Sequence, residues 1–333
     1  MRFFAGIAFV VPIVVVVWVL SRGPRPEPAA QVVARHAVDS LSRARLAALE
    51  RGDVAAWGAA LRTDALLLGD DADPVRVGRV EAVAEMRREL GPTIAEGSAV
   101  DTLVRRVAVG ATRRGRLAWA AAELNTRAAF VRDGPSRPLR QTAAYILRDD
   151  EWRALIENHS QAPTWDELQA GAARGQFPAP AALEAPEGRG AERLAKRFRR
   201  ALAHFGRLRP DRQAIAVGPT GGDVAVGDSA VSVMVADWER RLGAPRLATD
   251  GLSTWVPRRT GVGWVVAHLE VSPPDWGGIT MPLRLTAVYR ERGEDSWSLV
   301  LAHLSVAVRD EGEAALPAAG RASSSSRWQR RGM

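Results

Sequence analysis

The chain has 333 residues, 47% hydrophobic and 25% charged, with a formal charge of +8 and no cysteine. This composition fits one to three globular domains with a buried core, and excludes a low-complexity chain. The absence of cysteine excludes disulfides, thiolate catalysis, cysteine-ligated zinc, iron–sulfur clusters and a lipid anchor on cysteine. The positive charge is almost wholly arginine, with Lys196 the single lysine. No aromatic RNA-binding motif or zinc-finger spacing accompanies it, so it does not predict a nucleic-acid partner.

Phe3 to Leu20 is an uncharged run rich in Val, Ile and Phe. As a helix it is about 27 Å long, close to a hydrocarbon core of about 30 Å. Arg2, Arg22 and Arg25 flank the run, and Trp18 stands where an interfacial aromatic is expected. The exit, Trp18 to Pro24, lacks the small residues of a good cleavage site. An uncleaved membrane anchor is therefore preferred, ahead of a cleaved signal peptide and of a buried core helix. The expected location is a single-pass membrane protein with the bulk of the chain outside the cytoplasm.

Gly23 to Ala30 reads as a stiff, Pro-rich spacer. The spacing of Val38 to Ala48 predicts a helix, ended by Gly52, and Asp53 can cap the next one. Arg79 to Leu90 predicts a third helix, closed by Gly91 and Pro92. In the acidic stretch Asp70, Asp71 and Asp73, the spacing is not that of a calcium loop, so a solvated turn is expected. Ala162 to Gly190, with its prolines and glycines, reads as a break between two halves. Beyond it, Leu194, Phe198, Ala201, Leu202 and Phe205 share one helical face, and Arg193, Lys196, Arg197, Arg199 and Arg200 make a basic one. That basic face can touch anionic lipid, though a solvated surface is its default. Gly227 to Leu242 resembles the Arg79 helix. From Arg309 the tail has no periodicity and predicts disorder.

The two halves repeat one another. Trp119 matches Trp264, Pro138 matches Pro282 and Trp152 matches Trp297, at offsets of 145, 144 and 145 residues. Three blocks in one order at a near-constant offset mark a tandem duplication. Each block reads as a strand bounded by turn residues, so each half ends in a three-strand antiparallel meander. The helix begun at Asp53 has no clear counterpart in the second half.

Several short motifs carry a resemblance. Gly52-Asp53 through Trp57 looks like the start of a second helix, Asp64 through Gly69 like the strand after it, and Gly78-Arg79 through Val83 like the start of a third helix. Trp297, His303 and Ser305 look like a last strand. Together they resemble the nuclear transport factor two-like superfamily, which includes the SnoaL-like cyclases and the ketosteroid isomerases. The resemblance implies an α+β fold: two tandem cone-like domains, each with N-terminal helices and a curved antiparallel sheet. It also implies that the two copies pair as an intramolecular pseudo-dimer. The chain then divides into an anchor (1–22), a spacer (23–34), domain 1 (35–161), a linker (162–189), a divergent domain 2 (190–308) and a basic tail (309–333).

Isomerase chemistry of that kind needs a carboxylate base and acidic hydrogen-bond donors in an apolar cavity. The candidate pocket residues are Trp119, Glu123, Tyr145 and Asn158 in the first copy and Trp264, His268, Tyr289 and His303 in the second. His268 or His303 can act as a base near neutral pH. Against this, Glu123 faces His268 in the alignment and Asn158 faces His303, so the copies share no catalytic set. The tryptophans, tyrosines and strand histidines are equally the residues of a packed sheet. No catalytic residue is assigned, and neither a metal nor a cofactor is expected. The expected function is a membrane-anchored, non-enzymatic module that binds a small hydrophobic ligand or a protein partner. The alternatives are a cyclase- or isomerase-like enzyme working in one cone and a purely structural envelope protein.

Overall fold

The computed structural model describes residues 27–69, 76–95, 100–128, 137–178, 183, 188–202, 205, 208–257, 260–293 and 296–306. The Phe3–Leu20 run, the Asp70–Asp73 stretch and the tail from Arg309 lie outside the described residues. Among those described, no helix is long and apolar enough to cross a membrane.

The first half runs α1 (Ala29–Glu50), α2 (Val54–Ala59), β1 (Leu61–Leu68), β2 (Arg76–Val77), α3 (Arg79–Ala95), β3 (Val100–Ala111), β4 (Leu117–Ala128), β5 (Arg137–Arg148) and β6 (Glu151–Gln161). After α4 (Trp165–Ala173) the second half runs α5 (Gly188–Leu202), β7 (Pro210–Val217), β8 (Val224–Val226), α6 (Asp228–Leu242), β9 (Arg246–Trp255), β10 (Val262–Val271), β11 (Met281–Gly293) and β12 (Ser296–Ser305). Each half forms a six-stranded sheet, in the orders β2-β1-β6-β5-β4-β3 and β8-β7-β12-β11-β10-β9. The two orders are the same, and in each the first long strand pairs parallel with the last.

Local chemistry explains the elements. Gly52, at a φ of 70°, ends α1 in the left-handed region that glycine tolerates. Asp53 then accepts a hydrogen bond from the Ala56 amide at 2.9 Å and caps α2. Among the described residues no α-helix replaces α2 between α5 and β7.

Four features differ from the sequence reading. The helix α1 starts at Ala29, inside the expected spacer, and Gln31 ties it down by donating to the Ala111 carbonyl at 2.7 Å. The meanders have four strands, because β3 and β9 precede the three expected in each half. The helix α3 runs past Gly91 and Pro92 to Ala95, which the helical φ of proline allows at the loss of one backbone bond. The break at 162–189 contains α4, which starts with a capping box of Thr164 and Glu167. Leu168 of α4 and the following Phe177 belong to the second core, and Trp165 meets Trp276 at 5.6 Å.

Alternation along the strands creates three layers. In β4, Ala118 and Ala120 face the helices of the first half, whereas Trp119 and Ala121 face outward. In β10, Val265 and Ala267 face inward, whereas Trp264 and Val266 face outward. The two outward faces join in one buried cluster that takes Leu68, Trp119 and Ile156 from the first sheet and Val217, Trp264 and Leu301 from the second. A one-residue bulge falls at the same place in both copies, at Leu155 in β6 and Val300 in β12. It adds a second apolar residue to the joint and bends each strand.

The contact is closest where β3 and β4 meet β7. Trp119 Nε1 donates to the Gln213 carbonyl at 2.8 Å. Gly110 lies opposite Trp119 in the sheet, and a Cβ there would overlap both the indole nitrogen and that carbonyl. The matching position in the second copy, opposite Trp264, is Trp255, whose ring stacks on it at 6.5 Å. Gly110→Ala is therefore expected to wedge the sheets apart and lower stability by about 1–3 kcal/mol in denaturant unfolding. An unchanged midpoint would show that the two sheets do not meet there.

Candidate functional site

The interior of the first half holds a buried polar cluster. Arg45 lies on the buried face of α1, and Glu157 lies on the inward face of β6. Arg45 Nη1 stands 2.5 Å from Glu157 Oε2. The same nitrogen donates to the Tyr145 hydroxyl at 3.2 Å, and Arg45 Nε donates to the Trp57 carbonyl at 3.1 Å. The guanidinium lies over the Trp57 ring, 5.2 Å from its centroid. Glu157 Oε1 accepts from Trp57 Nε1 at 3.3 Å and from the Gln141 amide, and meets His159 Nε2 at 2.7 Å.

Burial alone would raise the Glu157 carboxyl, but Arg45 and His159 outweigh it and hold it at about 2. Burial pushes the Tyr145 phenol up despite the opposing Arg45 charge. The carboxylate stays ionised and is enclosed by donors, an arrangement suited to a structural ion pair and poor for a base that must take a proton.

The interior of the second half is apolar. Phe198, Phe205, Trp238, Leu283 and Trp297 fill it, and a void of about 10 Å³ lies beside Tyr289. Burial also pushes the Tyr289 phenol up.

The eight sequence candidates divide between two places. Tyr145 and Tyr289 point into the two interiors. Trp119 and Trp264 lie in the shared layer, and strand alternation puts Glu123 and His268 on the same faces as these tryptophans. Asn158 and His303 also reach across the joint. Glu123 Oε1 accepts from the Gly222 amide of the second half at 3.2 Å. Asn158 Nδ2 donates to Thr286 Oγ1 at 3.1 Å, while Thr142 Oγ1 meets His303 Nδ1 at 2.9 Å. Ser160 Oγ closes on His303 Nε2 at 2.7 Å. Two buried arginines complete the layer. Arg140 donates to the Gly218 carbonyl, to the Thr220 carbonyl at 3.3 Å and to the Gln161 carbonyl at 2.6 Å; Arg284 donates to the Gly69 carbonyl. Burial lowers Arg140 to about 10, against the pull of Asp223 and Glu123. Burial, then Arg140, Arg284 and His159, holds the His303 imidazole well below its ordinary value, so it stays neutral.

The Arg45–Glu157 pair escaped the sequence reading. Its signal was an arginine inside the apolar stripe Val38, Leu41, Ala48 of α1, where a charge needs a partner.

No protein-family model matches the sequence, and no curated protein matches it. Solved structures do. An NTF2-like protein of unknown function from Pseudomonas putida KT2440 is 15% identical over 40% of this chain and 91% of its own, with a TM-score of 0.34. A DUF3225-family protein of unknown function from Pectobacterium atrosepticum SCRI1043 is 18% identical over 42% of this chain and 98% of its own, at 0.33. An NTF2-like protein with a cystatin-like fold from Novosphingobium aromaticivorans is 16% identical over 39% of this chain and 82% of its own, at 0.34. The similarity is to proteins of the nuclear transport factor two-like fold; the first half has the order of helices and strands that resemblance implied, and the second half has that order without the second helix among the described residues.

Two outcomes follow for stability. Glu157→Gln leaves Arg45 buried without a counter-charge and should cost about 3–5 kcal/mol, whereas Arg45→Met with Glu157→Leu should recover most of it. Denaturant unfolding of the three variants checks this; a double variant as weak as the single one would contradict it. His303 is proton-poor when folded and titrates near 6.5 when unfolded. As pH falls below 6.5 the unfolded state gains a proton that the folded state refuses, so stability should drop by up to about 1.4 kcal/mol per pH unit. Glu157 adds to the loss only below 4.5, down to about 2. His303→Asn, which installs the residue of the first copy, should flatten the slope between pH 6.5 and 4.5; an unchanged slope would assign it to other groups.

Proposed function

We propose that the chain is a membrane-tethered, non-enzymatic binding or assembly module, in which two cones act as one intramolecular pseudo-dimer. The observation that carries this reading is the fate of the polar residues. Glu123, Asn158 and His303, which a catalytic pocket would need, bond across the joint. Inside the cones, the first carboxylate is bound by Arg45 and the second interior is packed with apolar side chains. The Phe3–Leu20 run supplies the tether, with the cones outside the cytoplasm.

The enzyme alternative draws its support from the first cone, where a carboxylate, a tyrosine and a histidine do converge. The two readings separate in one experiment. A panel of enolisable ketones incubated with the full chain in heavy water is expected to exchange no deuterium beyond the buffer rate. Exchange that disappears in Glu157→Gln would restore the isomerase reading. For the tether, the full chain should stay in the membrane pellet after carbonate washing, and removal of residues 1–26 should release it. A full chain extracted by carbonate would contradict the anchor.

A further inference from the structure

A cleft of about 580 Å³ opens on the outer side of the first half, between α1, α2 and the turn from β5 to β6. This volume falls in the range of small-molecule sites. Its floor and walls are Leu41, Ala44 and Ala48 on α1, Ala56 and Ala59 on α2, and Trp152 on β6. Alanines on both helices keep the floor low and smooth, and the half-buried Trp152 offers a flat apolar wall. The cleft borders the first cone, with which it shares Arg45, Leu41, Ala48 and Trp152, and none of its lining residues belongs to the joint.

Arg45, Arg51 and Arg153 line the cleft, with Glu151 as the acid; Arg153 pairs with Glu151 and Arg45 with Glu157, so the excess positive charge is that of Arg51 at the exposed rim. Arg45 is only 2% exposed, yet it is one of the lining residues. Its Nε and Nη1 are occupied, whereas Nη2 has no hydrogen-bond partner among the described residues. A buried guanidinium nitrogen without an acceptor is unfavourable, and a planar acid group is the acceptor its geometry fits best.

We propose that this cleft binds an organic anion with an apolar body and a single acid group. The acid group is held by Arg45 Nη2 with Arg51 at the rim, and the body lies on the alanine floor against Trp152. The site deepens the binding-module reading and rests on it, by giving that module a ligand class and a place between α1, α2 and β6.

The test is calorimetry on the full chain in zwitterionic nanodiscs, with empty discs as the baseline. The probes are 2-naphthoate and its uncharged analogue 2-naphthalenemethanol. Naphthoate is expected to bind with saturation at one site per chain, at least tenfold more tightly than the alcohol. Ala44→Trp and Ala56→Trp fill the cleft from exposed positions. With an unchanged circular dichroism spectrum, each should weaken binding at least tenfold, and Arg51→Gln should weaken it less. No saturable heat, equal affinity for the alcohol, or full affinity in both filled variants would each overturn the site. Absence of binding sinks the site alone and leaves the module reading standing. Binding that survives both fillings but vanishes in Gln141→Leu would place the ligand inside the first cone, and would sink the site and the filled-cone reading together.

Discussion

A guanidinium removed from water must be surrounded by acceptors, and two of them are sealed between the sheets. Arg140 of the first copy bonds the Gly218 carbonyl of the second, and Arg284 of the second bonds the Gly69 carbonyl of the first. The two arginines occupy matched positions of the repeat, as do the two glycines at the ends of β1 and β7. The same reciprocity links Thr142 to His303 and Asn158 to Thr286. This is the pattern of a two-fold interface, in which each side presents the same patch to the other, drawn here on a single chain. Separating the sheets would leave buried cations and a neutral histidine without partners, as well as exposing the apolar layer around Trp119 and Trp264. Breaking such pairs is far more costly than never having built them.

The copies diverged around that joint. One sheet opposes Trp119 with Gly110, so β7 approaches closely enough for the indole to bond the Gln213 carbonyl. The other opposes Trp264 with Trp255 and fills the same space with a ring. The interiors diverged further. The first holds a charged pair with tyrosine, tryptophan and glutamine around it, and the second is filled with phenylalanine, leucine and tryptophan. Among the described residues α2 has no counterpart in the second copy, and it forms one wall of the outer cleft.

Much of this was legible in the sequence, and the failures have definite causes. The repeated strand order was visible because the paired blocks are strands whose tryptophans and tyrosines recur at near-constant offsets of 144 and 145 residues. The resemblance carried the helix order of the first half, since Gly52-Asp53 is a real stop and cap. The helix α4 was missed although Thr164 and Glu167 spell a capping box, because the surrounding prolines and glycines dominated the reading. The strands β3 and β9 were missed because their arginine, alanine and glycine content hides the alternation. The eight candidate residues divide by face, which is a matter of register. Trp119 and Glu123 are four apart on one strand and must share a face, and Tyr145 neighbours the cross-strand partner of Trp119, which puts it on the other. The bulge at Leu155 then shifts Asn158 to the outer face, and one sequence does not reveal a bulge.

A joint of this kind requires the two halves to behave as one cooperative body. Native-state hydrogen exchange measured by mass spectrometry on the full chain tests it most directly. The amides of β5 and β6 should open together with those of β11 and β12, at one common free energy that falls equally when Arg140 or Arg284 is replaced. If one sheet exchanges freely while the other stays protected, the joint does not bind the halves into a unit, and the account fails.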